Sequence, residues 1–156
     1  MPIRVTDPSG FASTATIAEG LVWAADHGAR VANSSSCIGS GTSSYIGSAA
    51  KYFYDQGGLF VAAMGNTSEF VSTLADKPYE IDVSATTAID GSSVWSSTGT
   101  NTDLSAPGEN VFGIPGNGSG TSFASPIVAG TAALVMAADP ALKNNQVETM
   151  LEQSAK

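Results

Sequence analysis

The chain has 156 residues, 42% hydrophobic and 13% charged, which is enough apolar material for one core and too little charge for a disordered chain. Six Lys and Arg against fourteen Asp and Glu give a net charge of −8. The cations (Arg4, Arg30, Lys51, Lys77, Lys143, Lys156) are scattered, which excludes the clustered phosphate contacts of a nucleic-acid binder.

The opening Met1-Pro2-Ile3-Arg4-Val5-Thr6-Asp7 is too short and too early-charged for a signal peptide. Residues 3–6 read as a strand stopped by the turn cluster Asp7-Pro8-Ser9-Gly10. Thr16 with Glu19 reads as a capping box, and Ile17, Leu21 and Ala25 follow helical spacing up to His27-Gly28. Residues 30–34 form a second predicted strand. Ser43 or Ser44 then caps a helix carrying Ile46, Ala49, Ala50 and Phe53, stopped by Gly57-Gly58.

Residues 59–63 are continuously apolar, as expected of a strand covered on both faces. Residues 80–84, 94–96 and 111–114 are further short predicted strands. A helix over 121–138 is apolar and small on nearly every side, which predicts burial. Asp139-Pro140 breaks it, and Asn145 with Glu148 opens a final amphipathic helix through Val147, Met150 and Leu151. No apolar run approaches the roughly 20 residues of a membrane span. The alternation predicts an α/β fold, a doubly wound, mainly parallel sheet with helices on both faces.

Chemistry concentrates at Gly118-Ser119-Gly120-Thr121-Ser122-Phe123-Ala124-Ser125-Pro126. A serine at the start of a buried helix lies among unpaired N–H groups that favour developing negative charge. Gly120 lets the chain bend and a substrate approach. Pro126 lacks the N–H that would bond the carbonyl of Ser122. Asn66 follows the apolar run at 59–63, and the carboxyl end of a parallel strand is where open α/β sheets bind ligands. Its side-chain amide can meet developing negative charge there together with the Ser122 N–H.

Gly120-Thr121-Ser122-x-Ala124-x-Pro126 followed by Val128-Ala129-Gly130 resembles the serine motif of the subtilisin-like serine proteases, the subtilases (peptidase S8). Val61-Ala62-Ala63-Met64-Gly65-Asn66 resembles their oxyanion motif. Gly20-Leu21-Val22-Trp23-Ala24 with Val31-Ala32-Asn33-Ser34-Ser35 is similar to their helix and strand leading into the cleft. The resemblance implies a serine endopeptidase with Ser122 as nucleophile and Asn66 as oxyanion donor. It also implies one substrate edge at Ser34, Ser35 and Ser36, another at Ser9, Gly10, Phe11 and Ala12, and a pocket lined by Ala63, Met64 and Gly65. Main-chain pairing of that kind is strand addition, which demands little of the peptide's sequence.

Subtilases use Asp, His and Ser in that chain order. Their aspartate strand and His-Gly-Thr helix motif are absent here, so residues 1–156 resemble the C-terminal portion of a catalytic domain lacking its N-terminal strands. Asp7, His27 and Ser122 occur in the right order, but His27 ends a helix and Asp7 sits in a turn, so the reading gives them no triad role. The chain alone is therefore expected to be almost inactive. The resemblance places the missing strand between residues 3–6 and 30–34, so an isolated chain is expected to be marginally stable or oligomeric unless another chain fills the gap.

Cys37 cannot form an intrachain disulfide and has no sign of thiol activation. Ser36-Cys37-Ile38 departs from the glycine the family usually carries there. Ile127 replaces a histidine common after the proline and reads as packing. Calcium enters only through the resemblance, since no loop is dense enough in carboxylates to assign metal ligands. The expected partners are a peptide or protein substrate and the missing N-terminal half, with no nucleic acid and no membrane. A secreted or extracellular location follows by resemblance, and suits seventeen glycines with few charges. The rival from another class is a non-catalytic peptide-binding module on the same scaffold.

Overall fold

The computed structural model describes residues 1–37, 44–71, 77–113 and 116–155. Its elements are α1 (Thr14–Asp26), β1 (Val31–Cys37), α2 (Ser44–Asp55), β2 (Leu59–Ala63), β3 (Phe70–Val71), β4 (Ile81–Thr86), β5 (Thr98–Gly99), β6 (Leu104–Pro107), β7 (Val111–Gly113), β8 (Gly116–Gly118), α3 (Thr121–Ala138) and α4 (Asn144–Ser154). Four strands form a sheet in the order β1-β2-β4-β6, and each pairing is parallel. Parallel neighbours need crossovers: α2 supplies the one between β1 and β2, while the connections from β2 to β4 and from β4 to β6 carry the short strands β3 and β5.

Every residue of β2 is buried, because consecutive side chains of a strand point to opposite faces and both are covered. Leu59 and Val61 join one core with Ala124, Val128, Ala132 and Met136 of α3 and Val147 and Leu151 of α4. Phe60 and Ala62 join the other with Ile17, Leu21 and Ala24 of α1 and Ile46, Ala50 and Phe53 of α2. This is the α/β architecture with helices on both faces that the sequence predicts.

Several boundaries differ from expectation for local reasons. The first helix is capped three residues earlier: the Ser13 hydroxyl accepts from the Thr16 amide at 3.1 Å, and Thr16 Oγ1 accepts from the Ser13 amide at 3.1 Å. Glu19 is not part of that box. Gly28 follows at φ +75°, the left-handed position that ends a helix cheaply. The predicted strand at 94–96 is a turn, with Val94 exposed and the Ser96 amide bonded to Ser93 O. The strand that composition hid is β6, where only Leu104 and Ala106 are buried. β7 and β8 pair as an antiparallel hairpin, and the predicted strand's last residue, Ile114, lies outside the described residues. Ser43 lies outside them too. The final helix starts with Lys143 as its cap, whose amide is held by Gln146 Oε1 at 2.9 Å.

Residues 3–6 are not a strand. No described strand lies within pairing reach, so Ile3 and Val5 pack instead on the α1–α2 core, with Val5 against Gly20. Between them and β1 lies a groove of about 580 Å³, lined in part by Ile3, Val5, Leu21, Val31, Asn33 and Ser34. β1 is therefore an edge strand facing a slot.

α3 crosses the sheet on β1, β2, β4 and β6 and carries no charged residue over its 18 positions. By length and composition it also meets the requirement for crossing a membrane, with mean hydropathy 1.5 and 39% of the helix buried, which amends the expectation that no segment approaches one. Its outer side is bare: Ile127 is 39% exposed and Leu134 72%.

Candidate active site

Ser122 occupies the first turn of α3, where amides have no partner within the helix. The helix begins at the carboxyl end of the sheet because Gly120 is held there: its amide donates to Gly108 O at 2.9 Å, and the Gly108 amide donates to Thr86 O, at the end of β4, at 2.9 Å. Ser122 Oγ donates to the main-chain oxygen of Ser35 at 3.0 Å. The nucleophile candidate and the β1 edge are therefore in direct contact.

Asn66 lies three residues beyond the end of β2. Its Oδ1 accepts from the Thr121 amide at 2.9 Å and from Thr121 Oγ1 at 3.1 Å. Thr121 Oγ1 in turn accepts from the Gly65 amide at 3.0 Å. With its oxygen occupied twice on one side, the carboxamide presents Nδ2 on the other. A Cβ built on Gly120 would lie 3.4 Å from Asn66 Nδ2, 3.6 Å from the Ser122 nitrogen and 3.8 Å from Asn66 Oδ1. The absence of a side chain at 120 leaves open a space bordered by both nitrogens.

The remaining sequence-predicted residues divide into two groups. Ser34 pairs with Ala62 and Cys37 with Ala63, and the register shifts between them, so Ser35 and Ser36 sit in an irregularity at the carboxyl end of β1. Ala63, Met64 and Gly65 are buried at the neighbouring end of β2, with the Met64 amide bonded to Val83 O at 3.0 Å. These residues converge with Ser122 and Asn66. Ser9, Gly10, Phe11 and Ala12 form a separate loop closed on itself: Asp7 Oδ1 accepts from the Ser9 amide at 2.9 Å, the Ser9 hydroxyl at 2.6 Å and the Phe11 amide at 3.0 Å. Those bonds, that of the Ser9 hydroxyl foremost, hold the Asp7 carboxyl below the usual carboxylate range. Asp7 is spent on its own loop.

His27 is the chain's one histidine. It precedes β1, whereas Ser122 contacts the far end of that strand. Its ring stacks on Trp23 at 3.7 Å, and Nδ1 bonds the Trp23 carbonyl at 2.8 Å. The structure does not bring Asp7 and His27 to Ser122. Cys37 closes β1, and Ile38 lies outside the described residues.

Sequence reasoning missed a buried ionic cluster beneath the site. Lys77 Nζ lies 3.1 Å from Glu80 Oε1 and 3.1 Å from Asp82 Oδ2, and Asn101 Nδ2 donates to Asp82 Oδ2 and to Met64 Sδ. Burial first, then the Asp82 charge, pushes the Glu80 carboxyl up to about 7. Burial opposes the Lys77 charge, but the two carboxylates outweigh it and raise its pKa. Two acids spaced by two in a strand flanked by apolar residues was the available signal. Among the described residues no group of three or more His, Cys, Asp or Glu is arranged to hold a metal ion.

The family profile of the subtilases matches residues 1–156, the whole chain. This chain belongs to the subtilase family. It is 39% identical over 161 residues to the cell wall-associated protease of Bacillus subtilis (strain 168), covering 99% of this chain and 18% of that protein. It is 36% identical over 160 residues to subtilisin Savinase of Lederbergia lenta, covering 98% of this chain and 59% of that one. The crystal structure of a cold adapted subtilisin-like serine proteinase superposes with a TM-score of 0.84 at 32% identity, over 96% of this chain and 57% of the other. The subtilase chain thus spans less than two thirds of each of these relatives.

Proposed function

We propose that this subtilase chain is the serine-bearing part of a serine endopeptidase catalytic domain. Ser122 Oγ attacks the carbonyl carbon of a peptide bond, and the electron pair of the C=O moves onto oxygen. That oxyanion enters the space over Gly120 and accepts from Asn66 Nδ2 and the Ser122 amide. The hydroxyl proton goes to a histidine oriented by an aspartate, and returns to the leaving amine as the C–N bond breaks. Water then hydrolyses the acyl-enzyme by the same route. The observation that carries this reading is the double hold of Thr121 on Asn66 Oδ1, which fixes the carboxamide beside the start of the helix that bears Ser122.

The substrate lies along Ser34, Ser35 and Ser36, with Ser9, Gly10, Phe11 and Ala12 as the opposite edge and Ala63, Met64 and Gly65 as the pocket wall. The histidine and aspartate come from a segment outside these 156 residues. The slot beside β1 and the uncharged outer side of α3 support a partner that covers both. Losing such a histidine alone costs about six decades of turnover, about 8 kcal/mol of barrier, so the isolated chain hydrolyses peptides at close to background. The substrates are peptides or proteins, and the working location is extracellular, by analogy with the relative described as cell wall-associated.

A fluorophosphonate probe tests this. In the protein assembled with a segment bearing the aspartate and histidine motifs, the probe labels Ser122, and Ser122→Ala abolishes labelling. No labelling after assembly, with saturable peptide binding retained in Ser122→Ala, would favour the non-catalytic peptide-binding module. Strong labelling of the isolated chain would show a base within it and overturn the two-part reading.

A further inference from the structure

We infer that Asn33, Ser35 and Ser125 form a hydrogen-bonded clasp that positions Ser122, and that Pro126 creates the need for it. The inference rests on the proposed role of Ser122 only for its consequence in catalysis. In a regular α-helix the amide of residue 126 would bond the carbonyl of residue 122. Pro126 has no N–H, so the Ser122 carbonyl loses its helical partner just where the helix must hold a reactive side chain. Ser35 Oγ fills that vacancy from β1, donating to Ser122 O at 2.9 Å.

A serine hydroxyl has one proton to give, and the surrounding bonds decide where it goes. Asn33 Nδ2 donates to Ser35 Oγ at 3.0 Å, so the Ser35 proton is left for Ser122. Asn33 is fixed in that orientation because its Oδ1 accepts from Ser125 Oγ at 2.9 Å, and Ser125 is fully buried. In the opposite sense, Ser122 Oγ donates to Ser35 O at 3.0 Å. Residues 35 and 122 therefore exchange hydroxyl-to-carbonyl bonds. The circuit closes through alternate residues of one strand (33 and 35) and one turn of one helix (122 to 125).

The consequence is a fixed register between the strand edge that would receive the peptide and the residue that would attack it. Asn33, Ser35 and Ser125 are positioning residues in this account, since they act through Ser122. Their chemistry is specific. An aspartate at 33 is only an acceptor when ionised, so it would draw the Ser35 proton toward itself and away from the Ser122 carbonyl.

The test is a double-mutant cycle on the full chain, followed by labelling kinetics. Ser35→Ala should raise the unfolding equilibrium constant about two- to tenfold, as for one lost part-buried hydrogen bond. In a Pro126→Ala background, where residue 126 regains its N–H, the effect of Ser35→Ala should shrink about threefold or more. An equal effect in both backgrounds would overturn the clasp. In the assembled protein, Asn33→Asp should lower the maximal rate of fluorophosphonate labelling about tenfold and leave half-saturation unchanged. Ser125→Thr, which keeps the hydroxyl, should label like the parent, and Ser125→Ala should not. An unchanged maximal rate in Asn33→Asp overturns the positioning role. If Ser122 never labels, the endopeptidase reading falls while the cycle still decides the clasp.

Discussion

Replacing Thr121 by valine removes one oxygen and almost no volume, so its cost measures polar bonds rather than packing. Thr121 is fully buried. Its hydroxyl donates to Asn66 Oδ1 at 3.1 Å and accepts from the Gly65 amide at 3.0 Å. Asn66 Oδ1 keeps the Thr121 amide, so that loss is an ordinary hydrogen bond, about 0.5–1.5 kcal/mol. The Gly65 amide is left as a buried donor without an acceptor, which costs about 1–3 kcal/mol. Together Thr121→Val should cost about 2–4 kcal/mol in a urea titration, and Thr121→Ser should recover most of it. Amide hydrogen exchange locates the effect, because Gly65 should lose protection ahead of the rest of β2. A cost under about 0.5 kcal/mol, with Gly65 equally protected, would show that this hydroxyl does not hold the Asn66 segment.

Glu80 gives a pH signature. Its folded pKa of about 7 lies above the ordinary value of 4.5, so its contribution is fully present below the unfolded pKa and is lost as pH rises through about 7. Urea midpoints should fall between pH 5 and pH 8, and Glu80→Gln should flatten that slope; a parallel slope in the variant would reject the assignment. Gly108→Ala should destabilise by about 1–3 kcal/mol, because its Cβ would meet Ala85 Cβ at 2.5 Å and Gly120 O at 3.0 Å; thermal melting that matches the parent would contradict this. The open β1 edge should drive association of the isolated chain, seen as concentration-dependent sedimentation. A monomer at all concentrations with a sharp urea transition would count against the open-edge account.

The central sheet was legible where burial is two-sided. Residues 59–63 are apolar throughout because they face two cores, and composition alone reveals that. β6 was not legible, since Leu104 and Ala106 alternate with exposed residues among Gly, Thr and Pro and look like loop. Residues 3–6 show the opposite failure: Ile3 and Val5 have a strand's pattern, but a strand needs a neighbour. At the site, Ser122 and Asn66 were readable because their motifs carry the chemistry. Thr121, Asn33 and Ser125 were not assigned roles, because each is an ordinary polar residue until the fold sets it opposite a carbonyl or an amide. The Glu80–Asp82–Lys77 cluster left only the spacing of its two acids in the sequence, because burial of charge is a property of the third dimension.

An α3 without a single charge has a consequence for timing. No charge on its exposed side repels a second molecule, so during synthesis or refolding any partner that covers it competes with collisions between copies. A cover tethered to the same polypeptide wins that race at any dilution, whereas one supplied separately wins only when it is in excess. Production yield should therefore depend on order of addition and on how crowded the vessel is, even where the final fold is the same.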